Sequence, residues 1–264
     1  MIGFIGNGNM GRAILGGILS NGIAVAKNII VSDVDEDGLN LVNGTYGVMT
    51  SNDNCEVASK SEMLFLAVKP NVVYKVIDEI KECIKKDTLV ISIVAGQSLS
   101  KLTEAFGRRM KLIRVMPNTP ALVGEGMAAL SPSDMVDESE KGMALKIFNS
   151  FGKAEIVPEY MMDAVTAVSG SSPAYVFMFI EAMADAAVIG GMPRKQAYTF
   201  AAQAVLGSAK MVLKTGKHPG ELKDMVCSPA GTTIDAVAAL EENGFRNAVI
   251  KAMQACIEKS KELG

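Results

Sequence analysis

The chain has 264 residues, 49% of them hydrophobic and 21% charged, with a formal net charge of -3. This length exceeds the ~100 to 200 residues of a common single domain, and the composition is that of an ordinary globular protein, which excludes disorder. The slightly acidic balance and the lack of any basic run exclude a surface built to neutralise many nucleic-acid phosphates.

The run Ile2 to Ile5 reads as a strand that begins almost at the first residue. It leaves no room for a charged leader with an apolar targeting core, so a cytoplasmic protein is expected. Gly6-Asn7-Gly8-Asn9-Met10-Gly11 follows with Gly-x-Gly-x-x-Gly spacing and opens a predicted helix, Met10 to Leu19. In that context the first glycine permits a tight turn, the second lets a pyrophosphate approach the backbone, and the third allows helix and strand to pack closely. The helix start adds unpaired N-H donors and partial positive charge.

A second strand, Ile29 to Ser32, ends at Asp33, 22 residues beyond Gly11. This is close to the ~20-residue offset at which a carboxylate accepts from a ribose 2'-hydroxyl. The continuation Val34-Asp35-Glu36-Asp37 contains no arginine for a 2'-phosphate, so the cofactor is NADPH or NADH with the balance toward NADH. Asp35, Glu36 and Asp37 read as the acidic first turn of the next helix.

Further nearly continuous apolar runs at Met63 to Val68, Leu89 to Ile93 and Leu112 to Val115 complete the clearest strands. Strands of this kind have both faces covered by helices. Residues 1–158 are therefore predicted to form a doubly wound, mostly parallel α/β domain of Rossmann type.

From 159 to 264 strand signals disappear. Met161 to Gly191, Pro193 to Leu213, Ala230 to Leu240 and Phe245 to Leu263 are predicted helices. Glu181 and Asp185 interrupt the most apolar stretch, Ala174 to Met192, so no membrane span is expected. These helices are apolar around much of their circumference and predict a homodimer through this half. The Met161-Met162 and Met178-Met183 clusters read as core, and Tyr175 and Ser172 as packing or pocket-wall residues.

Cys55, Cys83, Cys227 and Cys256 show no Cys-x-x-Cys pair and no histidine neighbour, so neither a metal site nor a disulfide framework is expected, and the thiols are predicted to be reduced. The single histidine, His218, precedes Pro219-Gly220 and reads as a turn or cap residue. Ser228-Pro229-Ala230-Gly231-Thr232-Thr233 reads as a helix start, with Ser228 as cap, Pro229 at the first helical position, and the amides of Gly231, Thr232 and Thr233 as free donors for an anion.

Several of these segments, in this order along almost the whole chain, resemble the pyrroline-5-carboxylate reductase family. They are Gly6 to Gly11, Ala67-Val68-Lys69-Pro70, Val94-Ala95-Gly96, Met116-Pro117-Asn118-Thr119-Pro120, Ser169 to Tyr175 and Ser228 to Thr233. The resemblance implies that Ala67, Val68, Lys69, Pro70, Asn54, Val94, Ala95, Gly96 and Asn118 line the dinucleotide cleft. It implies that Ser228, Gly231, Thr232 and Thr233 hold the substrate carboxylate, with the Thr233 hydroxyl reaching the ring nitrogen. It also implies dimers gathered into a ring of five.

Two departures stand out. Ala230 occupies a position where many members carry glycine, which matters if the backbone there has positive φ. The acidic segment after Ser32 lacks the arginine of NADPH-preferring relatives. A β-hydroxy-acid dehydrogenase using a lysine such as Lys69, and a non-catalytic dinucleotide sensor, are the alternative readings; the Thr-Thr motif argues against both.

Overall fold

The computed structural model describes residues 1–263. Among them, eight strands form one sheet: β1 (Ile2–Ile5), β2 (Ile29–Ser32), β3 (Met49–Ser51), β4 (Met63–Leu66), β5 (Leu89–Ser92), β6 (Lys111–Met116), β7 (Gly126–Pro132) and β8 (Gly152–Ile156). Their order is β3-β2-β1-β4-β5-β6-β7-β8, and every neighbouring pair is parallel except β6 with β7. The helices between the strands are α1 (Asn9–Ser20), α2 (Glu36–Tyr46), α3 (Asn54–Lys60), α4 (Val73–Ile80), α5 (Leu99–Phe106) and α6 (Glu138–Phe148). After β8 come α7 (Met162–Val165), α8 (Ser172–Ile189), α9 (Arg194–Thr215), α10 (Pro219–Val226), α11 (Thr232–Glu242) and α12 (Phe245–Leu263).

The alternation of side chains along a strand sorts the apolar runs onto the two sheet faces. Phe4, Val31, Phe65, Ile91 and Ile113 join one core with α1 and α6. Ile5, Ile30, Leu64, Leu66, Val90 and Leu112 join the other with α3, α4 and α5. On the first face Phe4 stacks on Phe65 at 4.6 Å between ring centroids, and Phe148 and Phe151 extend the aromatic row. Because β1 pairs with β2 on one side and β4 on the other, the winding reverses between β1 and β4. Their carboxyl ends open the crevice where ligands gather in such sheets.

The expectation of four reduced thiols is corrected. Cys55 on α3 and Cys83 after α4 are joined as a disulfide, with Cα atoms 5.5 Å apart, while Cys227 and Cys256 are free. Their separation of 28 residues hides the contact, which exists only because α3 and α4 lie side by side on the same sheet face.

The helical run expected from Met161 to Gly191 is also broken. Thr166–Gly170 takes π-helical geometry between α7 and α8. Thr166 Oγ1 donates to Met162 O at 2.9 Å and Ser169 Oγ to Val165 O at 3.1 Å, the side-chain competition that disturbs a helical ladder.

The chain divides into two compact units, Met1–Ser171 with the chain from Cys256 onward, and Ser172–Ala255. Residues 159–170 group with the first unit because they are tied to the sheet. Arg114 pairs with Glu159 at 3.1 Å, Glu159 also accepts from Leu99 N, and Asn118 Nδ2 donates to Ser169 O at 3.1 Å. Ser260 Oγ, donating to Asp163 Oδ1 at 2.7 Å, brings the end of α12 to the same unit.

In the second unit, Phe177, Met178, Phe200, Leu213, Met225 and Val226 are all more than 60% exposed. The run Glu159–Ile189, with mean hydropathy 1.4, is by length and composition alone long and apolar enough to cross a membrane. The two carboxylates that argued against a span are nonetheless in place, and Asp185 pairs with Arg194.

Phe65 is fully buried and touches both Phe4 and Phe148. Phe65→Ala is expected to lower unfolding free energy by about 3 to 5 kcal/mol, read from the urea midpoint at unchanged slope.

Candidate active site

The loop from β1 to α1 is shaped by close approach. Gly6 has φ +100°, and a Cβ there would lie 2.5 Å from Ala67 O, so only glycine permits the turn beside the end of β4. Gly6 N donates to Ser32 O at 2.8 Å and Ala67 N to Ile5 O at 2.8 Å, continuing both ladders past the strand ends. A Cβ on Gly11 would stand 2.9 Å from Gly6 O, which explains the third glycine. A Cβ on Gly8 would meet nothing within 4 Å. The backbone in front of α1 is thus bare and open, as a bound pyrophosphate needs, and α1 begins at Asn9 with Gly8 as its cap. Met10, the second residue of α1, packs on the first core.

Asp33 stands where the sequence places it, at the end of β2, and it also braces the glycine loop. Asn7 N donates to Asp33 Oδ2 at 2.5 Å, and Asp35 N donates to Asp33 Oδ1 at 3.0 Å. The buried Asn7 side chain donates to Gly38 O at 2.8 Å, fastening the loop to α2; sequence reading had given this residue no separate role. Asp35 caps α2, whose first turn carries Glu36 and Asp37, as expected. Between Lys27 and Lys60 the chain has no Lys or Arg, so no basic residue of this segment offsets the carboxylates.

Around the crevice, Asn54 opens α3. Its Oδ1 accepts from Ser32 Oγ at 2.7 Å and its Nδ2 donates to Glu79 Oε2 at 2.8 Å. Two residues on, the Lys60 ammonium and then the Ser51 hydroxyl, by hydrogen bonding, hold the Glu56 carboxyl below its ordinary pKa. Val68 packs on the second core, while Lys69 and Pro70 are exposed, and Pro70 begins a short 3₁₀ turn.

Val94 is buried, Ala95 is exposed and Gly96 has φ +71°. A contact unseen in the sequence clamps these two loops, since Tyr74 on α4 donates to the buried Gln97 beside Gly96. Asn118 is committed at both ends of its amide, accepting from Met127 N at 2.8 Å and donating to Ser169 O. It holds the chain around the end of β6.

In the second unit the late motif differs from the expected helix start. Ser228 is not the cap and Pro229 is not the first helical residue. Gly231 caps α11, which begins at Thr232, and Gly231 N donates to Ser228 O at 3.1 Å to close a turn. The reason is Ala230, whose φ of +53° lies in the left-handed region and prevents helix before Gly231. Of the three amides expected to be open, that of Gly231 is used by the turn. Those of Thr232 and Thr233, in the first turn of α11, have no intrahelical acceptor. A Cβ on Gly231 would meet Ser228 Oγ at 2.2 Å, so the glycine allows hydroxyl and backbone to crowd together. His218 caps α10, its Nδ1 accepting from Gly220 N at 3.0 Å, which agrees with the turn role read from the sequence.

The chain is similar to known proteins over its whole length. A family described as pyrroline-5-carboxylate reductase dimerisation matches residues 159–263, and one described as NADP oxidoreductase, coenzyme F420-dependent, matches residues 1–96. A pyrroline-5-carboxylate reductase of Escherichia coli K12 is 55% identical over 262 residues, covering 99% of this chain and 97% of that one. One from Methanosarcina acetivorans is 48% identical over 263 residues, covering 100% and 97%. The solved structure of a Plasmodium falciparum pyrroline carboxylate reductase with NADP bound has a TM-score of 0.90 at 35% identity, covering 100% of this chain and 97% of that one.

The left-handed Ala230 gives a direct test of the late turn. Ala230→Gly is expected to stabilise by about 0.5 to 1 kcal/mol, and Ala230→Val, β-branched at positive φ, to destabilise by more than about 1 kcal/mol. Thermal melts of the three proteins check that order.

Proposed function

The chain belongs to the pyrroline-5-carboxylate reductase family, and on that premise we propose how its residues divide the work of the reaction. It carries out NAD(P)H-dependent reduction of the C=N bond of 1-pyrroline-5-carboxylate to give L-proline, the last step of proline biosynthesis. Full-length identity of 55% to a reductase of that name carries this conclusion. Purified protein mixed with the imino acid and NADH or NADPH should oxidise the cofactor and release proline in equal amounts; failure to form proline would refute it.

A reduced nicotinamide dinucleotide, when bound, supplies the hydride. Gly6, Asn7, Gly8, Asn9, Met10 and Gly11 hold its pyrophosphate at the start of α1, the fit being supported by the open space over Gly8. Asp33 accepts from the adenosine ribose. Ala67 to Pro70, Val94 to Gly96, Asn54 and Asn118 line the remainder of the cleft, Asn54 and Asn118 chiefly by fixing the strand ends through their own amides.

In the second unit the amides of Thr232 and Thr233 grip the substrate carboxylate at the positive end of α11. Gly231 and Ser228 form the turn beneath it, and the Thr233 hydroxyl reaches the ring nitrogen. Holding a ring in one orientation for hydride transfer is worth ~7 to 11 kcal/mol when the reacting atoms are well placed. Reduction removes the charge of a protonated imine, so this chemistry leaves no strong base for the chain to provide; His218, committed as a cap, is not needed.

The chain forms a homo-oligomer through its helical half, and a partner subunit covers the exposed Phe177, Met178, Phe200 and Leu213. The family resemblance extends this to dimers gathered into a ring of five, working in the cytoplasm.

The acidic end of β2 favours NADH over NADPH. A 2'-phosphate beside Asp33, Asp35, Glu36 and Asp37 meets like charge with no local cation in the segment from Lys27 to Lys60. NADH should therefore be used with kcat/KM about tenfold or more above NADPH, and Asp33→Asn, which keeps an acceptor for Asn7 N while removing charge, should narrow that ratio. An NADPH preference in the unaltered enzyme would reverse this assignment. Thr233→Ala should lower kcat/KM for the imino acid by about 10 to 100 fold while leaving dinucleotide affinity unchanged, as separate turnover and binding titrations would register.

A further inference from the structure

We propose that Cys55 and Cys83 form a thiol-disulfide exchange site whose oxidation state sets the affinity of the dinucleotide cleft through Asn54. This deepens the cofactor assignment of Asn54 and rests on it. The two cysteines are 28 residues apart in the chain, yet their Cα atoms stand 5.5 Å apart, within the span of a disulfide. Both are partly exposed, so a small reagent can reach them.

The surroundings connect the pair to the cleft. Cys55 follows Asn54, whose amide bridges Ser32 on β2 and Glu79 on α4. The covalent link from Cys55 to Cys83 therefore joins α3 to the chain just beyond α4, in parallel with the Asn54 to Glu79 hydrogen bond. Ser32 immediately precedes Asp33, and Ser32 O accepts from Gly6 N, so the position of Asn54 is felt by the strand end that carries the ribose carboxylate and the glycine loop. Glu79 O lies 3.1 Å from Cys55 Sγ and 3.8 Å from Cys83 Sγ, an acceptor ready for the thiols that reduction would restore.

The exchange partner is a small-molecule disulfide of the glutathione class. One cysteine thiolate attacks the partner's S-S bond, forms a mixed disulfide and releases one small thiol. The second cysteine thiolate attacks the mixed disulfide and releases the other. Two protein S-H bonds and the partner's S-S bond are replaced by one protein S-S bond and two small-thiol S-H bonds, the two protons passing to the released small thiolates. Excess small thiol reverses each step.

With the bond closed, α3 is held where Asn54 completes its bridge; with it open, that order is supplied only by hydrogen bonds at a partly exposed site. The full chain should be treated with oxidised or reduced glutathione, alkylated, and mapped by peptide mass, with NADH affinity titrated by nicotinamide fluorescence and thermal stability measured alongside. The oxidised form should yield a linked Cys55-Cys83 peptide and melt about 5 °C or more above the reduced form. It should also bind NADH about threefold or more tightly. Cys83→Ser should match the reduced form and ignore the oxidant.

The absence of the linked peptide, or one NADH affinity shared by oxidised, reduced and Cys83→Ser protein, overturns the proposal. Proline formation in the same samples separates it from the reductase assignment. A redox-dependent affinity without turnover would sink only the latter, and normal turnover with a constant affinity would sink only the exchange site.

Discussion

The approach of Gly6 to the Ala67 carbonyl is the contact on which the cofactor half depends. β1 is flanked by β2 and β4, and immediately past its end the chain must turn away beside the residue that follows β4. A side-chain carbon at Gly6 would fall 2.5 Å from Ala67 O, far inside van der Waals contact. The bare α-carbon lets the turn close, and α1 then starts with its free amides at the point where the winding of the sheet reverses. The sheet cores on either face, with Phe4 and Phe65 stacked directly beneath this turn, keep the two strand ends from separating.

The second unit follows a different physical logic. Its helix α8 is strongly apolar without a single apolar stripe, and an isolated subunit leaves Phe177, Met178, Phe200 and Leu213 largely in water. A soluble monomer does not sustain so much exposed apolar surface, and the match of residues 159–263 to a dimerisation family supplies the missing cover. The same property explains why Glu159–Ile189 has the length and hydropathy of a membrane segment. Surface meant for another subunit and surface meant for lipid have similar composition, and they differ in features such as Glu181 and Asp185, which here sit on α8 with Asp185 paired to Arg194.

Much of this was legible in the sequence because the informative signals were local. The runs at β1, β2, β4, β5 and β6 are apolar on both faces, and the glycine loop, Asp33 and the His218 cap each sit beside the element that gives them meaning. β3, β7 and β8 escaped for physical reasons. β3 is three residues at a sheet edge, β7 is built largely from Gly, Ala and Ser, and β8 alternates Gly, Lys, Ala, Glu and Ile as its exposed edge position allows. The cysteine pair, the Tyr74 to Gln97 clamp and the return of α12 to the first unit depend on contacts between distant segments, for which the chain carries no local signature. The late motif shows an intermediate case: its residues were identified, and Ala230 was singled out as sensitive to φ. Yet the left-handed turn displaced the helix start by three residues from Pro229 at the first helical position to Thr232.

Asp33 shows how closely recognition and architecture are joined here. One carboxylate oxygen accepts from Asn7 N inside the glycine loop and the other from Asp35 N at the cap of α2. Each oxygen has a second lone pair, so the group can still accept from a ribose hydroxyl, but it does so already fixed in orientation by the backbone. Preorganisation of this kind reduces the ordering cost of binding. It also means that the negative charge cannot be removed by truncation without loosening the glycine loop. The carboxylate proposed to meet the ribose is therefore one that the local backbone already engages at both oxygens. An amide removes the charge and keeps one of the two acceptors, whereas a small apolar side chain keeps neither.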